Sequence, residues 1–146
     1  MDAFAANSSG PVLLYDGACG LCNRVVRLLL RLDRRGVLRF APLQGPSAQE
    51  FLTLHGLPTH DFSTLVFVPN WAWRDRAEFR LRTDGAIAAL WFCGGIGRVL
   101  ATLLNLCPRW LRDAGYRLVS RTRYRLFGPW RACPLPRPGW AERFLP

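Results

Sequence analysis

The chain has 146 residues and a mass of 16.6 kDa, enough for one domain that buries a core without a metal or disulfide staples. Half of the residues are apolar and 12% are aromatic, which excludes intrinsic disorder despite a formal net charge of +10. All 20 basic residues are arginine, suited to carboxylate or phosphate partners, a property that bears on association rather than on fold.

Residues 1–10 show no basic start and no apolar stretch, so they read as a flexible N-terminus without a signal peptide. Of five cysteines only Cys19 and Cys22 are close in sequence, which points to a reducing, cytoplasmic setting rather than a secreted disulfide framework. Val12 to Tyr15 is a short apolar strand that ends at the turn dipeptide Asp16-Gly17. From Gly20 to Arg35 the apolar residues Leu21, Val25, Leu28, Leu29 and Leu32 recur at helical spacing opposite an arginine stripe. Arg34 and Arg35 suit the C-terminal dipole of that helix, and Gly36 suits its cap.

Val37 to Ala41 reads as a second strand, parallel to the first because a helix of that length is the crossover a parallel pair needs. Ser47 and Glu50 have capping-box spacing for a helix to about His55. Ser63 to Val68 is a third strand closed by Pro69-Asn70, with Glu78 to Arg82 antiparallel to it. Thr83 is placed to cap a helix through about Phe92, and further helices are expected over Ile96 to Leu106 and Arg109 to Phe127. A proline-rich tail begins at Gly128. The apolar run from Ala86 to Cys107 is long, but Gly94-Gly95 splits it into pieces shorter than the roughly 20 residues of a membrane span, leaving peripheral membrane contact as the membrane alternative. The chain thus divides into the N-terminus at 1–10, an α/β core over 11–92, and a helical extension with its tail over 93–146 packed on the same domain.

The chemistry lies in Cys19-Gly20-Leu21-Cys22 at the start of the first helix. Two cysteines one turn apart can close a disulfide with little backbone movement, and the helix N-terminus favours the thiolate of the sulfur that faces it. Cys19 is the candidate nucleophile and Cys22 the resolving thiol, with Gly20 letting backbone pass close to a substrate and Leu21 making the linker apolar. The couple would need no cofactor beyond its own redox-active disulfide. A zinc site is the structural alternative, but Cys93, Cys107, Cys133, His55 and His60 offer no second pair at zinc-ligand spacing. Asp16 has two roles open to it: a proton relay for Cys22, or an Asx-turn on the N–H of Ala18 or Cys19.

The run Tyr15-Asp16-Gly17-Ala18-Cys19-Gly20-Leu21-Cys22 resembles the signature of the DCC family of thiol-disulfide oxidoreductases. The block from Tyr116 to Gly128, followed by Cys133-Pro134, is similar to that family's C-terminal block. The resemblance implies a thioredoxin-like sheet flanked by helices, with an extra helical C-terminal extension. It also assigns the family's acid and cysteines to Asp16, Cys19 and Cys22. Thioredoxin-like proteins usually carry a cis-proline before the strand that faces the cysteine pair; here Ser63 takes that place, and Ser63 and Thr64 become candidate substrate-binding residues.

The partners expected are a protein or small thiol carrying a disulfide or dithiol, together with an unidentified reductant or oxidant. Arg121, Arg123 and Arg125 near Tyr116 and Tyr124 keep a nucleic-acid or acidic-partner module as the lesser reading, because on a helix they spread over more than one face. Cys133 reads as structural. Trp71 and Trp73 fit either a partner patch or packing against the C-terminal helices.

Overall fold

The computed structural model describes residues 10–17, 19–57, 59, 65–76, 78–127 and 144. Ser63 and Thr64, His60, Cys133 and the proline-rich tail apart from Phe144 lie outside the described residues, as do nearly all of the N-terminal segment 1–10 and the side chains of Arg123 and Tyr124.

Strand β1 (Val12–Tyr15) is buried along its whole length. It pairs in parallel with β2 (Arg39–Pro42), Val12 opposite Arg39 and Tyr15 opposite Pro42. On its other edge it runs antiparallel to β3 (Val66–Val68), which pairs antiparallel with β4 (Arg80–Leu81), giving the order β2-β1-β3-β4. Helix α1 (Gly20–Leu32) is the crossover between the parallel strands, as the sequence predicts. Helix α2 (Pro46–Leu54) follows β2, and a single 3-10 turn at Trp71–Trp73 follows β3. β4 runs directly into α3 (Arg82–Cys93), and α4 (Ile96–Leu106) and α5 (Arg109–Phe127) complete the extension.

Side chains alternate across a strand, so Val12 and Leu14 point to one face of the sheet and Leu13 and Tyr15 to the other. The first face is covered by Ala48, Phe51 and Leu52 of α2, with the Phe51 ring stacked on the buried Trp71 at 5.7 Å. Trp71 therefore belongs to this core, while Trp73 stands exposed. The second face is covered by Val26, Leu29 and Leu30 of α1 and by Ala89 and Cys93 of α3. Helix α5 packs across α1 and α3. The result is the expected α/β architecture, a sheet flanked by helices and consistent with a thioredoxin-like fold that carries extra C-terminal helices.

Local boundaries differ from expectation for identifiable reasons. Helix α1 stops at Leu32 rather than Arg35, because the buried Asp33 leaves the helix and its carboxylate accepts the Leu38 N–H at 2.6 Å. That hydrogen bond also delays β2 from Val37 to Arg39. The buried face of α1 centres on Val26, Leu29 and Leu30, and Leu28 is 48% exposed. The Ser47/Glu50 capping box is not used: Pro46 takes the first helical position, where its fixed φ and missing N–H cost nothing, and Gly45 is the cap. Thr83 does not cap α3, since β4 feeds the helix directly from Leu81.

The apolar run 86–107 is divided as the sequence predicts. Gly94 and Gly95 take positive φ values of 71° and 51°, and no helix among the described residues is long and apolar enough to cross a membrane. Helix α4 closes onto α3 through Gly97 and Ala101, while Ile96, Val99, Leu103 and Leu106 face outward. A Cβ on Gly97 would run into the Leu90 carbonyl oxygen and lie 2.8 Å from the Cys93 Cβ. Gly97→Ala is expected to destabilise the chain by about 1–3 kcal/mol through overpacking, read as a lower denaturant midpoint at unchanged slope.

Candidate active site

Because β1 and β2 are parallel, the loops at their C-terminal ends lie side by side. The Leu43 N–H donates to the Tyr15 carbonyl at 2.7 Å, continuing the pairing one step past the strands. Beyond it Gln44 spans the two loops: its Nε2 donates to Asp16 Oδ1 at 2.6 Å, and its Oε1 accepts the Gly17 N–H at 3.0 Å. A side chain at position 17 would not fit easily, since a Cβ there would stand 3.1 Å from both Gln44 Oε1 and Pro42 Cβ. Asp16 is almost fully buried. Its main-chain carbonyl accepts the Cys19 N–H at 3.2 Å and so closes the turn, while its carboxylate reaches across to Gln44.

Asn23 secures the same turn from the helix side. Its Nδ2 donates to the carbonyls of Gly17 and Cys19 at 3.0 and 2.8 Å. Cys19 is the N-cap of α1, with extended φ and ψ of −91° and 126°, and its Sγ accepts the Cys22 N–H at 3.5 Å. Both cysteines are thiols here. Cys19 is buried and Cys22 is half-buried, one helical turn along. Gly20 is buried in the first turn, and Leu21 and Cys22 border an apolar cavity beside Tyr15.

Tyr15 forms part of the floor beneath Cys22. Burial, with a further contribution from the charge of Cys22, pushes its phenol from 10.0 up to about 12. The hydroxyl therefore keeps its proton through the range in which thiols ionise. Among the described residues no group of three or more His, Cys, Asp or Glu is arranged to hold a metal ion.

The family model for DCC1-like thiol-disulfide oxidoreductases matches residues 13–129, from β1 to just past the end of α5. The chain belongs to this family. The DCC1-like name carries oxidoreductase activity on thiols and disulfides at that general level, with no substrate attached. The chain is 34% identical over 135 residues to an uncharacterised Bacillus subtilis protein, YuxK, covering 92% of this chain and 93% of that protein. It is 29% identical over 133 residues to a chloroplastic DCC family protein of Arabidopsis thaliana, covering 91% and 74% respectively. No solved structure matches the chain.

Of the residues singled out in the sequence, Asp16, Cys19, Gly20, Leu21 and Cys22 gather in one loop and helix start, while Ser63 and Thr64 lie outside the described residues. Leu65, the next residue, donates its N–H to the Tyr116 hydroxyl at 3.0 Å, bringing the DCC1-like C-terminal block to this side of the sheet. Sequence reasoning missed Gln44 and Asn23, whose polar side chains follow a strand and begin a helix without any motif. It could have found Gln44 from the parallel pairing, which places the loop after β2 beside the loop after β1.

Gln44→Ala strips the buried Asp16 of its amide donor and Gly17 of its acceptor, and is expected to cost about 1–3 kcal/mol in denaturant unfolding. For Tyr15 the folded chain holds the phenol proton more tightly than the unfolded chain does. Its contribution to stability is therefore complete below pH 10.0 and is lost as pH rises towards about 12. Tyr15→Phe should flatten the decline of the denaturant midpoint across that window.

Proposed function

We propose that this chain is a dithiol-disulfide oxidoreductase in which Cys19 is the attacking thiolate and Cys22 the resolving thiol, acting on a protein or small thiol that carries a disulfide. The observation that supports it most directly is the Cys22 N–H directed at Cys19 Sγ at the start of α1. The Cys22 N–H and the helix dipole aim positive partial charge at that sulfur.

In the first step the Cys19 thiolate attacks one sulfur of the substrate disulfide. The substrate S–S bond breaks, a Cys19-substrate S–S bond forms, and the departing substrate sulfur takes up a proton. In the second, Cys22 loses its proton and attacks Cys19 Sγ, which closes the Cys19-Cys22 disulfide and releases the second substrate thiol. Two electrons pass from the dithiol to the substrate, and an external dithiol reductant restores the pair. With an oxidant in its place the same steps run backwards. The cysteine couple is the electron carrier, with no further cofactor in this reading, and the setting is cytoplasmic. Asp16, held by Gln44, shapes the loop and accepts the Cys22 proton.

The burial of Cys19 beside the half-buried Cys22 favours a second order of events, in which Cys22 attacks first and Cys19 resolves. Trapping distinguishes the two. Cys22→Ser incubated with disulfide substrates should accumulate mixed disulfides on Cys19, seen as adducts by mass under non-reducing conditions, and Cys19→Ser should not. Adducts confined to Cys22 in the Cys19→Ser variant would establish the reverse order. Absence of adducts in both variants, across protein and small-molecule disulfides, would defeat the exchange reading.

A further inference from the structure

Between the sheet, α1 and α5 lies an apolar cavity of about 190 Å³ whose wall includes Cys22 itself. Leu13 and Tyr15 of β1 form its floor, Leu21 and Val25 of α1 one side, and Tyr116 and Val119 of α5 the other. We propose that this cavity sets substrate choice: it takes one apolar side chain, of leucine or phenylalanine size, from the residue that flanks the reacting cysteine of a peptide disulfide. The proposal rests on the exchange reading above and holds for either order of attack, because Cys19 lies only one turn from Cys22.

Three observations lead there. The first is place: a guest in the cavity lies against Cys22, so its own cysteine is held beside the dithiol. The second is size. A volume of about 190 Å³ falls below the roughly 300–1,000 Å³ of sites that enclose a whole small ligand and is several times the ~30 Å³ share of one water molecule. It suits a single side chain whose backbone stays outside. The third is chemistry: none of the described lining residues is charged, and the polar groups are limited to the two phenols, Cys22 and Ser120. A small thiol bearing carboxylates and an ammonium group would lose hydration there with no ion partner to replace it, whereas an apolar side chain gains by leaving water.

The walls stand ready before a guest arrives. The Tyr116 hydroxyl is tied to the Leu65 N–H, and Leu65 itself borders the cavity. At the start of α5, Arg109 and Arg112 both reach the Asp84 carboxylate of α3, at 2.7 and 3.3 Å. A site built in this way does not have to be ordered by its ligand.

The test compares two short peptides, each with its single cysteine joined through a disulfide to a coloured aryl thiol, and with either leucine or serine flanking that cysteine. The chain is kept reduced by a dithiol, and release of the aryl thiol is followed. The leucine probe should show a kcat/KM about tenfold or more above the serine probe, the scale on which an apolar pocket discriminates. Val119→Trp fills the cavity from a partly exposed position on α5 and should bring the two probes to within about twofold of each other. Equal rates for the two probes in the unaltered chain would overturn the pocket and leave the exchange reading intact. A leucine preference that persists undiminished in a folded Val119→Trp variant would also overturn it. Release no faster than with a Cys19→Ser/Cys22→Ser double variant would overturn the exchange reading, and the pocket with it.

Discussion

Parallel pairing of β1 with β2 requires a long connection to carry the chain from one end of the sheet back to the other, and α1 is that connection. Three consequences meet at one edge of the sheet. The start of α1 must lie at the C-terminal end of β1, so Cys19 becomes the cap of a helix rather than part of a loop tip. The loop after β2 must end beside it, which lets Gln44 hold Asp16 and Gly17 together. And Tyr15, the last residue of β1, must face the underside of α1, where burial and Cys22 keep its phenol protonated. Removing the parallel pairing would disperse all three.

How much of this could be read in the sequence depends on the range of the interaction involved. The parallel crossover, the break at Gly94-Gly95 and both helices of the extension, Ile96–Leu106 and Arg109–Phe127, follow from periodicity and turn chemistry that act over a few residues. Features fixed by a partner that no periodicity or motif names are not legible in the sequence. Asp33 looks like a helical residue until its bond to the Leu38 N–H is known. Leu28 lies on the apolar stripe of α1 at helical spacing and Val26 and Leu30 lie off it, yet the position of the sheet buries Val26 and Leu30 and leaves Leu28 exposed. Pro46 illustrates competition between two local signals: the capping box at Ser47 and Glu50 is a sound motif, but a proline one residue earlier is a stronger start.

The site shows the same division. Cys19 and Cys22 stand out by their spacing and Asp16 by the DCC-like run it sits in, and the three share one loop and helix start. Gln44 and Asn23 carry no such spacing, and their roles arise from two loops meeting across a sheet. The Tyr116 hydroxyl lies 51 positions from the Leu65 N–H it accepts. No local pattern announces that contact, although Tyr116 opens the block whose sequence resembles the family's C-terminal block.

Polar contacts hold helix α5 to Asp84 near its start and to Leu65 at mid-length, and neither of these contacts involves the cysteine loop. The cavity is thus walled from both ends of the chain, by β1 and α1 on the side of the cysteine loop and by α5 on the other. Substitutions along the inner edge of α5 can reshape what fits beside Cys22 while leaving the loop held by Gln44 and Asn23 undisturbed. The cavity wall and the cysteine loop are therefore open to separate substitution within one sheet-and-helix frame.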